Sequence, residues 1–121
     1  MKLFTLTLAI VLVCAAHGEP GDPLNMRLLP GFVTAAPAQL RVLATVETHS
    51  ENRELEIVAE SPTFHRSSSV SLDGDRAPRL NEFVFRNLPS GEYEVTATLR
   101  GARGRRAVQS RFFHVSPEVG R

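Results

Sequence analysis

Four arginines fall within seven residues, Arg100-Gly101-Ala102-Arg103-Gly104-Arg105-Arg106, and two glycines interrupt the run. Guanidinium groups form bidentate hydrogen bonds with carboxylates, phosphates and sulfates, so a turn carrying Arg100, Arg103, Arg105 and Arg106 suits an anionic partner. Arg66 and Phe112 are weaker candidates for the same contact. Other chemistries find less support. Ser67-Ser68-Ser69 and the histidines His49, His65 and His114 offer a nucleophile and a base, but no Gly-x-Ser-x-Gly elbow presents a serine. Glu54, Glu56 and Glu60 share one parity and therefore one face of a strand, where they act as solubility charges that discourage edge pairing. Asp73-Gly74-Asp75 lacks the oxygen-ligand spacing of a calcium loop and reads as a tight turn. No catalytic residue, no resident metal and no cofactor emerge, and the expectation is a protein that is not an enzyme.

The elements that must carry these side chains alternate with a period of two. Glu92-Tyr93-Glu94-Val95-Thr96-Ala97-Thr98-Leu99 sends Tyr93, Val95, Ala97 and Leu99 to one face and polar residues to the other. Leu40, Val42, Ala44 and Val46 repeat this pattern, as do Leu55, Ile57 and Ala59. Shorter strands are expected at Ser69 to Leu72 and at Glu82 to Phe85, with Phe83 and Phe85 inward, and a last strand from about Ala107 to Val115. In that last strand the adjacent Phe112 and Phe113 cannot both face inward without a bulge. An edge strand near Phe32 to Ala36 stops at Pro37, which has no N–H to donate. Turn signals separate the runs, and no stretch carries the apolar stripe of an amphipathic helix. The expected fold is all-β: a single antiparallel β-sandwich of about seven strands.

The stretch Phe83-Val84-Phe85-Arg86-Asn87-Leu88-Pro89-Ser90-Gly91-Glu92-Tyr93-Glu94-Val95 resembles the F-x-F-x-x-L-x-x-G-x-Y-x-V run of fibronectin type III, immunoglobulin-like and carboxypeptidase-regulatory-like (transthyretin-like) domains. The resemblance covers about thirteen residues and implies an immunoglobulin-like or fibronectin III-like sandwich. It further implies that Leu88 plugs the core where the chain crosses between sheets, that Gly91 takes the turn, and that Tyr93 bonds back to a nearby backbone group. Because unrelated superfamilies share it, it speaks to architecture more than to function.

The amino terminus reads as an address. Met1 and Lys2 precede an apolar run too short to span a bilayer, and small residues fit cleavage after Ala16 or after Gly18. The expected organisation is a signal peptide over 1–18, an extended leader or linker rich in proline and glycine over 19–31, the sandwich over 32–117 and a tail over 118–121. The single cysteine, Cys14, lies within the signal segment, so disulfides and thiolate sites are not expected in the exported chain, and Val13 departs from the small residue that a lipoprotein signal wants before its cysteine. Past residue 18, thirteen arginines balance thirteen acids with no lysine, which argues against nucleic-acid binding and a polybasic membrane anchor. The expected location is periplasmic or secreted, with no transmembrane segment.

Together these readings give an exported, non-catalytic binding module that contacts a protein or an anionic glycan or envelope polymer through its end loops. The alternative is a periplasmic copper-binding protein. Cleavage after Ala16 would expose His17 as an amino-terminal residue, similar in placement to the histidine that immunoglobulin-like periplasmic copper carriers present. The second histidine motif of those carriers is absent, and cleavage after Gly18 would remove His17.

Overall fold

The protein is described from a computed structural model that covers residues 22–30 and 34–117. Eight strands follow in order: β1 (Leu24–Leu29), β2 (Thr34–Ala35), β3 (Ala38–Val46), β4 (Asn52–Ser61), β5 (Phe64–Ser71), β6 (Leu80–Leu88), β7 (Gly91–Gly101) and β8 (Gly104–Ser116). One short 3-10 turn, Gly74–Arg76, precedes β6 and contains Asp75. The strands form two sheets, one ordered β1-β3-β6 and the other β2-β8-β7-β4-β5. All pairings are antiparallel except the two-residue β2 against the end of β8. The all-β two-sheet fold read from the period-two alternation is what the chain adopts.

Alternation explains how the sheets meet. Leu40, Val42, Ala44 and Val46 on β3, Leu55, Ile57 and Ala59 on β4, and Tyr93, Val95, Ala97 and Leu99 on β7 are all buried in one shared core. Phe83 and Phe85 enter it from β6, and Phe113 and Val115 from β8. Phe113 takes the inward position and leaves Phe112 78% exposed, so the parity question is settled without moving Phe113 from the core. β1, β3, β4, β6, β7 and β8 thereby each remove side chains of one face from water, the dominant favourable term in folding.

Two expected boundaries need correction. Residues 19–31 do not form only a leader: Leu24–Leu29 is β1, paired along its length with β3, and Leu24 and Met26 are both buried in the core. The prolines at 23 and 30 flank the strand instead of breaking it, which is where the missing N–H is tolerated. The strand expected at Ser69 to Leu72 begins earlier, at Phe64, because β5 is a sheet edge whose backbone pairs with β4 while its polar side chains stay exposed. The expected edge strand near Phe32 is seen as Thr34–Ala35, and Phe32 lies outside the described residues. The signal segment, with Cys14 and His17, and the tail beyond 117 also lie outside them.

Candidate functional site

Strand β7 runs between two differently built ends of the sandwich. At its start, Leu88 is completely buried as β6 gives way to the crossing, and Tyr93 is buried beside it. The Tyr93 hydroxyl donates to the Pro89 carbonyl at 2.6 Å, and Phe64 meets its ring edge-on at a centroid distance of 6.0 Å. Between them Gly91 has φ +151°, and a Cβ there would sit 3.5 Å from that of Ser61, so the backbone conformation excludes other residues more than space does. Burial holds the Tyr93 hydroxyl above its ordinary pKa, opposed by the neighbouring Ser61 hydroxyl and the Arg66 charge.

At the other end, β7 and β8 are joined by Ala102-Arg103, and this tip rests on the loop between β3 and β4. Ala102 N–H donates to the Glu51 carbonyl at 3.0 Å. A Cβ on Gly101 would fall 2.8 Å from that same carbonyl oxygen and 2.8 Å from Arg106 Cδ, so glycine is required for the close approach. Asn52, the only buried polar residue among those described, ties the two loops together. Its amide donates to the Glu47 carbonyl at 2.9 Å, and its carbonyl oxygen accepts a hydrogen bond from the Arg106 guanidinium. The turn His49-Ser50-Glu51-Asn52 is readable in the sequence, but nothing in its composition marks Asn52 as the anchor.

The four arginines of the tip divide by this geometry. Arg100 donates to Glu54 and Glu56, at 3.0 Å each, and these carboxylates raise its pKa above the ordinary arginine value. Arg106 is consumed by Asn52, with Glu47 at 4.0 Å. Arg103, in contrast, has a side chain 90% exposed and only a long 3.9 Å approach to Glu51. Arg105 is exposed with no ion-pair partner among the described residues. Arg103 and Arg105 line an open recess of about 460 Å³ with His49, Ser50 and Glu51. His49 Nδ1 accepts the Glu51 N–H at 2.9 Å, which leaves the neutral ring with its proton on Nε2 as a donor. The recess therefore offers two uncommitted guanidinium groups, an imidazole N–H and a serine hydroxyl, against one carboxylate.

Arg66 and Phe112 do not join this group. Arg66 pairs with Ala59, five residues along β4 from Glu54, the partner of Arg100. Its guanidinium lies 5.0 Å from the centre of the Phe64 ring and donates to the Arg86 carbonyl at 2.7 Å, closing the flank between β5 and β6. Phe112 sits opposite Glu94, towards the Tyr93 end of the sheet. His114 Nδ1 lies against Glu92 Oε2 without hydrogen-bond geometry. Among the described residues no three His, Cys, Asp or Glu side chains converge to hold a metal ion, and no helix is long and apolar enough to cross a membrane.

No family model and no curated protein sequence matches the chain. Solved structures do share its fold. A superoxide reductase (neelaredoxin) from Ignicoccus hospitalis superposes with a TM-score of 0.62 at 13% identity, over 78% of this chain and 81% of that one. A single-residue variant of that reductase gives 0.56 at 14% identity, over 78% and 82%. A family 76 glycoside hydrolase from a bovine Bacteroides thetaiotaomicron strain gives 0.54 at 18% identity over 78% of this chain, which spans only 20% of that enzyme's chain. At these identities the likeness is one of fold.

These neighbours correct the expectation that the protein is not an enzyme. That expectation took a filled sandwich with loop-borne charges to be a frame for contact alone, yet comparable frames occur in a reductase and within a hydrolase chain. The architecture gives no ground for excluding catalysis. His17, on which the copper-binding alternative rests, lies outside the described residues.

Proposed function

We propose that the chain is an exported binding module, immunoglobulin-like or fibronectin III-like, that captures an anionic group on a protein or envelope polymer at the β7–β8 tip. The observation that carries this reading is the division of the arginines: Arg100 and Arg106 are consumed in holding the tip, whereas beside the recess Arg103 makes only a long approach to Glu51 and Arg105 pairs with no carboxylate among the described residues. The sandwich architecture is supported by the strand order β1-β3-β6 over β8-β7-β4-β5 and by the bond from Tyr93 to the Pro89 carbonyl. Export is supported by the sequence alone.

Binding to heparin and to a polyglutamate peptide, immobilised as sulfated and carboxylated probes, tests the reading. Retention by either probe should disappear in Arg103→Glu/Arg105→Glu at unchanged melting temperature. Equal retention of this variant and the parent chain would overturn the assignment.

A further inference from the structure

The near-neutral chain conceals a separation of charge between its two outer sheet faces. On the five-stranded sheet, alternation and register place Glu54, Glu56 and Glu60 of β4 and Glu92 and Glu94 of β7 on the solvent face. Among the described residues, Arg100 and its β8 partner Arg105 are the arginines that share this face with the five glutamates, with His65 opposite Glu60 and His114 opposite Glu92. Glu60 and Glu94 are direct cross-strand partners, a like-charge pairing that disfavours the isolated sheet. On the three-stranded sheet the solvent face carries Arg27 of β1, Arg41 of β3 and Arg86 of β6, against Glu82 alone. Glu82 is paired to Arg41 at 2.6 Å, which leaves Arg27 and Arg86 without an ion-pair partner among the described residues.

Apolar side chains follow the same two faces. Five large hydrophobic residues are exposed among those described, and four of them lie here: Val108 and Phe112 on the acidic face, Leu80 and Val84 on the basic one. Register sets Phe112 directly against Glu94, and Val84 against Arg41. Each face thus has apolar groups beside charge that is predominantly of one sign, the arrangement of an interface with a dry centre and a polar rim.

We propose that these faces are complementary to one another, and that the partner is a second copy of this chain, its basic three-stranded face laid on the acidic five-stranded face. Charge excludes the alternative in which two acidic faces meet around a two-fold axis, because Glu60, Glu92 and Glu94 would converge on a second such set. Joining unlike faces leaves one of each kind free on every pair, so association continues head to tail unless the rotation closes a ring. A three-stranded face is small, which places the contact among transient interfaces, below about 1,200 Å² in total. The acidic face reaches Arg105 at the tip, but the glutamates that carry the proposed contact, Glu60, Glu92 and Glu94, lie at the opposite end of β7 from the Arg103 and Arg105 recess and do not depend on it.

Sedimentation velocity of the purified chain up to about 1 mM decides the matter. Association is expected at about 0.01 M salt and its loss at about 1 M, where the Debye length falls from ~30 Å to ~3 Å. Glu92→Arg/Glu94→Arg and Arg27→Glu/Arg86→Glu should each be monomeric at low salt with their melting temperatures retained. Mixing the two variants should restore association, since each supplies the face the other has lost. A parent chain that stays monomeric at low salt, a mixture of folded variants that stays monomeric, or association indifferent to salt and to both variants would each overturn the proposal.

Discussion

The two ends of β7 solve one structural problem, the fixing of a loop, by opposite means. At the Tyr93 end a single hydroxyl donates to a carbonyl four residues away, its ring packed among apolar side chains with only the Ser61 hydroxyl and the Arg66 charge beside it. At the tip the loops are held by the buried amide of Asn52 together with Arg106 and Glu47, two charged groups that reach the surface. The first arrangement closes an end without leaving chemistry behind. The second needs cations for its own assembly and holds two more in solvent beside them. A tip that only closed the sandwich would need no Arg103 or Arg105.

Substitution separates the two ends, beginning with the largest expected effect. Leu88→Ala removes a completely buried side chain where the chain passes between sheets, and the loss should be about 2–5 kcal/mol of unfolding free energy in urea. A loss below the lower bound would mean that the crossing collapses around the vacancy. Arg106→Ala should cost less, about 1–3 kcal/mol, because it strands the buried Asn52 carbonyl oxygen without a donor. If Arg106→Ala proves neutral while Asn52→Ala does not, water replaces the guanidinium and the tip is held from the Asn52 side alone.

How much of this contrast was open to the sequence follows from its physics. The inward rows were legible because period-two alternation states burial directly, and the corner was legible because Leu88, Gly91 and Tyr93 keep a fixed spacing within thirteen residues. The arginine cluster was visible too, but its division was not. Asn52 lies 54 positions from Arg106, and Glu54 and Glu56 lie 46 and 44 from Arg100, so only the β4–β7 register shows which cations are consumed. β1 was missed for a related reason: its prolines mark boundaries, and six residues between two breakers look like linker until β3 is there to pair with them. The charge separation between faces was likewise hidden, because parity within a strand does not say which sheet the strand joins.

A smaller effect sharpens the comparison through pH. Tyr93 is the only tyrosine and the chain has no tryptophan, so its ionisation can be followed alone by near-ultraviolet absorbance. Its folded-state pKa is raised, chiefly by burial. The stabilisation from keeping the neutral hydroxyl is therefore fully present below the unfolded value of about 10 and is lost as pH rises towards the folded value, because the unfolded chain releases the proton first. Tyr93→Phe should lose about 0.5–1.5 kcal/mol at neutral pH with its hydrogen bond, yet show a shallower decline above pH ~10. Parallel decline of the two proteins would mean that another group governs the alkaline limb.

The smallest expected effect on folding falls at the positions with the largest expected effect on binding. Arg103→Ser/Arg105→Ser removes two side chains that make no short ion pair among the described residues, so the unfolding midpoint should not move. Affinity for a sulfated or carboxylated probe should fall, and the salt dependence of what remains should flatten, because two fewer charges contribute to the screened attraction. Arg100→Ser supplies the control from the same tip. That arginine is already neutralised by Glu54 and Glu56, and removing it releases two carboxylates towards the same end, so weaker binding alone would not distinguish it. The distinguishing measurement is affinity in the triple variant with Glu54→Gln and Glu56→Gln. If binding returns there and stays lost in the Arg103 and Arg105 variant, contact lies with the two free guanidinium groups; if both behave alike, the partner senses only the summed charge of the end.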